Sequence, residues 1–501
     1  MYMKEKSIMF RKSCIPILII CLFSACSQTP PQGTNAHVTN TGIASTPATA
    51  PVTFPSVIPA TSPAATPVFP ATLPASNGKS YYVSPDGNDG QAGSLEHPWR
   101  TIQYAVDNLS PGDTVYIRAG VYRERVVLNR SGSSAGMLTV SAFPGEAATL
   151  DGQGIDLWNW GGIIELSGQH DVRITGLRIV NSSYAGVFAE GGYNLVVDHL
   201  YTYNTASSGI AFFGAHDVLV DSNEVVWAGT GGQQEYITLT DTQNFEVRYN
   251  HVHDFNPNTG GKEGIDAKDG SANGVIHHNH VHNLDRVGIY VDAYSKHSYN
   301  IQVYANQVHD INADGFSIAG EAGGLLENIS FFNNISYHNM NHGFSISNCC
   351  EDLAVNHPMQ NILIINNTFA DNGWDWGGGI RVANPDASGV IIRNNTLSQN
   401  VSFQLLIESW AQAAELIADH NLIDGYRNRD GEFYGNEYMA GDPLFFDVGL
   451  GDFRIRPQSP VVDAGASADS PAVDIAGNLR PTDGNQDGIA DVDIGAYEFM
   501  P

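Results

Sequence analysis

Cysteine is scarce in this chain. Of five, Cys14, Cys21 and Cys26 lie in the first 26 residues, which leaves the adjacent pair Cys349 and Cys350. No disulfide framework can be built from these. Neighbouring cysteines join only through a strained eight-membered ring, so a vicinal disulfide and two buried free thiols both remain open. Basic residues are scarce too: 24 Lys and Arg face 53 Asp and Glu, a formal net charge of −29. That balance argues against nucleic acid and anionic membrane as partners. A polyanionic substrate needs a local cation or a metal to land here. Long apolar runs are also missing. The longest, Cys14 to Ala25, is too short for a comfortable membrane span.

That run follows Lys4, Lys6, Arg11 and Lys12, so residues 1–26 read as an export signal. Leu22–Cys26 resembles a bacterial lipobox, which implies lipidation at Cys26; Phe23 stands where Leu is commoner, and plain secretion is the alternative. Residues 27–78, rich in Thr, Pro, Ala and Ser, cannot bury a core and read as a tether. The expectation is an exported monomer at the cell surface or outer envelope, touching membrane only through a lipid anchor.

What the chain has in abundance is repetition. Short two-faced strands recur at Ala185, Ser208, Glu235, Glu263, Val287, Asp314, His342 and Gly378. A second strand follows each and ends in an asparagine: Asn223, Asn250, Asn279, Asn306, Asn334, Asn367, Asn395 and Asn421. Most are roughly 26–29 residues apart, a solenoid period. An Asn at a bend tolerates the left-handed conformation and can bond to the Asn of the next coil. A sandwich or propeller would not keep one Asn in register over so many repeats. The fold class expected is all-β, a right-handed parallel β-helix over residues 151–424.

Residues 79–150 read as an N-terminal capping module. Its helix follows Pro98, with Thr101 as N-cap and Ile102, Ala105, Val106 and Leu109 as the apolar stripe. The module resembles the start of many secreted β-helix polysaccharide lyases. In the C-terminal segment, 425–501, Asp442–Phe445, Gly451–Pro460 and Asp493–Phe499 resemble the choice-of-anchor type Q segment of bacterial surface β-helix proteins. Within it, Asp483, Asn485, Asp487, Ile489 and Asp491 follow a calcium-loop spacing around Gly488, without the late Glu of an EF-hand. A structural Ca²⁺ clip is expected; a solvated acidic turn is the alternative.

The strand Glu263–Lys268 concentrates charge more than any other. Ile265 and Ala267 face one side, Asp266 and Lys268 the other. Aligning repeats gives one outward column of Thr238, Asp266, Tyr290, Ser317, Ser345 and Arg381. A second holds Thr240, Lys268, Asp292, Ala319, Ser347 and Ala383. Lys268 should therefore sit beside Asp292, with Asp266 diagonal at roughly 8 Å. Glu235, Glu263 and Asp314 border the patch, and His342 lies further along. Trp374, Trp376 and Trp410, two of them on a longer loop, are candidates to stack on sugar rings. His251, His253, His280, His282 and His309 form another column. Coil spacing of ~4.8 Å suits stacking better than converging metal ligands.

Two chemistries fit the patch. By resemblance to right-handed β-helix lyases, Lys268 is the base of a β-elimination on a uronate-containing polysaccharide, and Glu263, Asp266, Asp269 and Asp292 are Ca²⁺ ligands. Without metal those carboxylates would raise the Lys268 pKa and spoil it as a base. The other chemistry is glycoside hydrolysis by Asp266 with Asp292 or Glu263. A non-catalytic glycan-binding or structural surface protein is the third reading. Glu235, Tyr290, Asp314, His342, Trp374, Trp376 and Arg381 are the candidate substrate contacts.

Overall fold

The computed structural model describes residues 78–348, 354–374, 376–411 and 415–501. The export signal, Cys26, nearly all of the tether and the Cys349–Cys350 pair lie outside these.

Three parallel sheets run the length of the solenoid. Among the described residues, sheet one has 13 strands from Ser80–Val83 to Ile417–Asp419. Sheet two has 13 from Gly120–Tyr122 to Met439–Ala440, and sheet three has 11 from Val126–Val127 to Leu405–Ile407. Between the first strand and the last three, each coil contributes one strand to each sheet, as in Ile265–Lys268 (sheet three), Ala272–His277 (sheet one) and His280–His282 (sheet two). The fold is the parallel β-helix that the repeat pattern implies. Its sheets begin at Ser80, inside the stretch expected to be a capping module, because strands 80–151 already pair in register with later coils. Within that stretch the helix Ile102–Asn108 packs on the first strands. Thr101 caps it by accepting from the Tyr104 amide at 3.3 Å, and Glu124 accepts from the Ile102 and Gln103 amides, each at 2.9 Å. Ile102, Ala105, Val106 and Leu109 are buried.

Alternation along each strand fills the core. Ile265, Ala267, Val281, Ile289 and Val291 point inward and are fully buried. Phe316, Phe331 and Phe344 stack edge to face through successive coils. Between sheets one and two runs the asparagine ladder. Asn250, Asn279 and Asn306 are buried, and each Nδ2 donates to the next Oδ1 at 2.9–3.0 Å. The same Oδ1 accepts the preceding ladder residue's backbone N–H. The ladder continues from Asn223 to Asn421. The left-handed conformation belongs not to these asparagines but to the residue before each. Tyr249, His278 and Ala305 have φ of 52°, 53° and 52°. The chain turns there, which frees the asparagine to point inward and bond along the axis. A second ladder, Asn339–Asn372–Asn400–Gln404, keeps the period of the first, its asparagines each five residues after Asn334, Asn367 and Asn395.

The C-terminal segment lies against sheet two. Ile335 and Ala370 cluster with Phe453 and Ala496, and Leu422 with Ile455, Val461 and Ile494. Asn366 and Thr396 donate to the backbone carbonyls of Asp493 and Ile494.

Candidate active site

Sheet three carries the acidic patch, and its register pairs Thr238 with Asp266, Asp266 with Tyr290, Tyr290 with Ser317, Ser317 with Ser345 and Ser345 with Arg381. Asp266 leaves the outer face of its strand because Ile265 and Ala267 take the inner one. Lys268 Nζ donates to Glu235 Oε1 at 2.6 Å and lies 3.7 Å from Asp266 Oδ2. Glu235 is fixed in turn by Thr238, whose hydroxyl donates to its Oε2 at 2.9 Å.

Outward does not mean exposed here. Asp266 is 1% and Asp292 4% exposed, so neither is a surface residue. The Lys268 side chain keeps 18% exposure, and the patch opens to solvent at the lysine. Glu321, just past the next strand, was not foreseen. It accepts from the Tyr290 hydroxyl at 2.9 Å, and its charge reaches Asp292. Only the coil path brings Glu321 there; its sequence position carries no repeat signal. Burial raises the Asp266 carboxyl well above its usual range, and the charge of Asp292 adds to this while Lys268 opposes it. Asp292 is raised likewise, by burial first and Glu321 next. For Lys268, burial favours the neutral amine, but Glu235, Asp266 and Asp292 outweigh it and raise the pKa.

The four expected calcium ligands do not converge. Asp266 and Asp292 each bury an Oδ1 with no hydrogen-bond partner. Glu263 instead pairs with Arg286 at 3.1 Å. Asp269 Oδ1 accepts the Ser295 and Lys296 amides, each at 2.8 Å, and is spent on holding that loop. Among the described residues, no three carboxylates of the patch place ligand atoms within 4.8 Å of one another.

Asp314, His342, Trp376 and Arg381 form a separate patch, up to four coils along, or roughly 19 Å at ~4.8 Å per coil. Arg381 Nε donates to Glu408 at 2.8 Å, and its guanidinium lies 5.8 Å from the Trp376 ring. His342 is buried edge-on against Trp376, its Nδ1 accepting the Gly378 amide at 3.2 Å, and burial pushes its pKa well down. Asp314 accepts the His342 amide; burial raises its carboxyl to about 6. Trp374 and Trp376 are 59% and 44% exposed, open to a ligand.

In the C-terminal loop, Asp483, Asn485 and Asp487 accept backbone amides of the loop itself. Asp463, not expected there, accepts the Asn485 amide at 2.7 Å. The histidine column stacks as expected, with His251 over His280 at 5.1 Å and His282 over His309 at 5.0 Å. It also does what stacking alone does not require: ring nitrogens of neighbouring coils meet on the diagonal.

Residues 81–229 match the Pel9A-like right-handed β-helix region, and residues 293–436 match the right-handed β-helix region. Glu235, Asp266, Lys268 and Asp292 fall between the two spans, and Glu321 falls in the second. A pectate lyase, PEL9, of Emericella nidulans is 30% identical over 165 residues, covering 30% of this chain and 39% of that protein. The chain thus matches well under half the length of that relative. The uncharacterised protein YwoF of Bacillus subtilis is 25% identical over 439 residues, covering 77% of this chain and 92% of that one. Among solved structures, pectate lyase Pel9A superposes with a TM-score of 0.54 at 13% identity, over 85% of this chain and all of that one. XylC with xylose does so at 0.53 and 12%, over 84% and 98%. This chain is a right-handed parallel β-helix with similarity to Pel9A-like pectate lyases.

Proposed function

We propose that the protein is an extracytoplasmic polysaccharide lyase acting on a uronate-containing glycan at the Lys268 patch. One observation carries this reading: a lysine ammonium set among buried carboxylates, two of which, Asp266 and Asp292, hold an unpaired oxygen. Such oxygens are hard donors, and Ca²⁺ takes roughly 6–8 of them, so with these two from the chain the rest would come from water and from the uronate itself. Asp266 and Asp292 would hold it, with Glu321 beside them. Bound there, Ca²⁺ supplies positive charge that neutralises a uronate carboxylate and makes the adjacent proton more acidic.

The chain's own groups do the rest. Lys268 opens to solvent, and as the free amine it takes the proton next to the carboxylate. Glu235 holds the Nζ in place through the 2.6 Å bond. The C–H electron pair becomes the double bond of the sugar ring, the glycosidic C–O bond breaks, and the leaving oxygen takes a proton from water. The carboxylates around Lys268 keep it protonated by themselves, so activity depends on a cation that offsets them. The exposed Trp374 and Trp376 extend the surface for sugar rings. The similarity to a pectate lyase supports a polysaccharide as partner. Lipidation at Cys26, with residues 27–78 as tether, places the enzyme outside the cell. The Asp483–Asp491 loop, with Asp463, supplies a second, structural Ca²⁺ site.

The raised pKa values of Asp266 and Asp292 favour one rival, glycoside hydrolysis, which needs a carboxyl held protonated as general acid. A panel of polysaccharides, read for unsaturated-product absorbance and for reducing ends, separates the two. Absorbance that stops with a calcium chelator and returns with Ca²⁺ is the expected result. Reducing ends alone show hydrolysis, and no product from any glycan favours a binding protein.

A further inference from the structure

On the outer face of sheet two, the strands His251–His253, His280–His282 and Gln307–His309 lie side by side. Their register sets His251 beside His280, and His253 beside His282 beside His309. Val252, Val281 and Val308 take the inner positions and are fully buried, so all five histidines face outward. Stacked rings in a column point their nitrogens in parallel and keep them a coil apart. Here the diagonals close that gap. His251 Nε2 and His282 Nε2 are 2.8 Å apart, as are His280 Nε2 and His309 Nε2.

Two imidazole nitrogens at that distance share one proton between two lone pairs. The spacing is also close to what a metal ion asks for. Two nitrogens at right angles around an ion, each at ~2.05 Å, are about 2.9 Å apart; tetrahedral ligands are about 3.3 Å apart. His280 brings a third ring nitrogen, all three ligand atoms lying within 4.8 Å of one another. On the other side of His251, Glu224 and His253 complete a second such triad. His253 Nε2 is buried without a hydrogen-bond partner, 3.4 Å from Glu224 Oε1. Its Nδ1 is held by Asp254 at 3.1 Å, and His309 Nδ1 is held by Asp310 at 2.6 Å. A carboxylate on Nδ1 fixes the tautomer that leaves Nε2 free for a metal.

We propose that His251, His280 and His282 bind a divalent transition-metal ion that prefers imidazole, Zn²⁺, Cu²⁺ or Ni²⁺, with Glu224 and His253 at its edge. The shared ring proton moves to the Nδ1 of its own ring, and the ion takes the two facing Nε2 lone pairs. The ion would clamp two successive coils. Ca²⁺, which takes oxygen ligands, does not compete for this site. It lies on a different sheet from Lys268, so it stands or falls independently of the lyase reading.

The test uses the full chain without a histidine tag, stripped of metal and then kept in excess Ca²⁺. Calorimetric titration with each of Zn²⁺, Cu²⁺ and Ni²⁺ should show one saturable site per chain for at least one ion. His251→Gln and His282→Gln should each weaken it at least tenfold, and His216→Gln, on sheet one, should leave it unchanged. The Cu²⁺ electron paramagnetic resonance spectrum of the unaltered protein needs no variant and should show at least two nitrogen ligands. Absence of saturable binding, a spectrum with fewer nitrogens, or equal affinity in the His282→Gln protein overturns the proposal.

Discussion

Charge around a single amine decides whether Lys268 can take a proton. Its carboxylate neighbours stabilise the ammonium, and a guanidinium in the same place would be harder still to deprotonate. Lys268→Arg keeps the positive charge opposite Glu235, so the fold should persist while elimination falls by at least a hundredfold, read as initial rate of absorbance gain. A hydrolase that uses Lys268 only as a cation would retain part of its rate. Asp314 offers a second side-chain test. Its carboxyl is raised to about 6 by burial, above the ordinary 3.8 of the unfolded chain. The folded state therefore binds the extra proton, and this contribution is full below pH 3.8 and lost as pH rises through 6. Asp314→Asn keeps the oxygen that accepts the His342 amide but never ionises. The stability difference between variant and parent should shift in the variant's favour by on the order of 2–3 kcal/mol between pH 4 and pH 7, measured by urea unfolding. A flat difference would show that the carboxyl ionises freely. Neither residue's environment could be read from the sequence. Which side of the strand Asp266 and Lys268 take follows from alternation. What surrounds them does not: Glu321 and Arg286, which bond to Tyr290 and Glu263 beside them, come from loops outside the strand pattern.

Strands and turns were far more legible. The columns headed by Thr238 and by Thr240 follow from a period of two within strands and one Asn per coil; the pairings carry the first from Thr238 to Arg381 and the second at every step except Lys268 to Asp292, where the ladder ends at Ala267–Val291. The left-handed turn falls one residue before each ladder asparagine. Composition points to Asn as the left-handed residue, since its side chain tolerates that region. Tyr249, His278 and Ala305 adopt it instead, because the asparagine's own side chain is committed to the axis. Asn279 shows what that commitment is worth. Its amide donates to Val247 O and to Asn306 Oδ1, while its Oδ1 accepts from the Asn250 backbone and side chain. Asn279→Leu leaves several buried groups unmet, each costing about 1–3 kcal/mol. A loss of at least 3 kcal/mol by chemical denaturation is expected. A loss under 1 kcal/mol would mean that the strands alone set the register. The diagonal contacts of the histidine column also escaped the spacing argument. Coil spacing fixes where ring centres stack but not how the rings tilt, and the tilt brings the nitrogens together.

At the scale of the molecule, a solenoid must close its ends and cover any apolar flank. The helix Ile102–Asn108 covers the N-terminal end. Covering sheet two falls to the C-terminal segment, which follows the last coil and could be treated as detachable. Its contacts argue otherwise. Phe453, Val461, Ile494 and Ala496 are buried against Ile335, Ala370 and Leu422 of the coils. Arg480 is fully buried, its Nε 3.6 Å from Glu498, and its guanidinium donates to the Asp493 and Gly495 carbonyls that run beside the coils. Ending the chain at residue 441 would uncover apolar side chains on consecutive coils of a sheet, a surface prone to association. The truncated protein should therefore melt lower than the full chain and self-associate at higher concentration, by scanning calorimetry and light scattering. A truncated monomer with an unchanged melting temperature would make the segment a separate module. The same comparison sorts the two proposed Ca²⁺ sites. Calcium stabilisation that survives in any folded fraction of the truncated chain comes from Asp266 and Asp292, and stabilisation confined to the full chain comes from the Asp483–Asp491 loop.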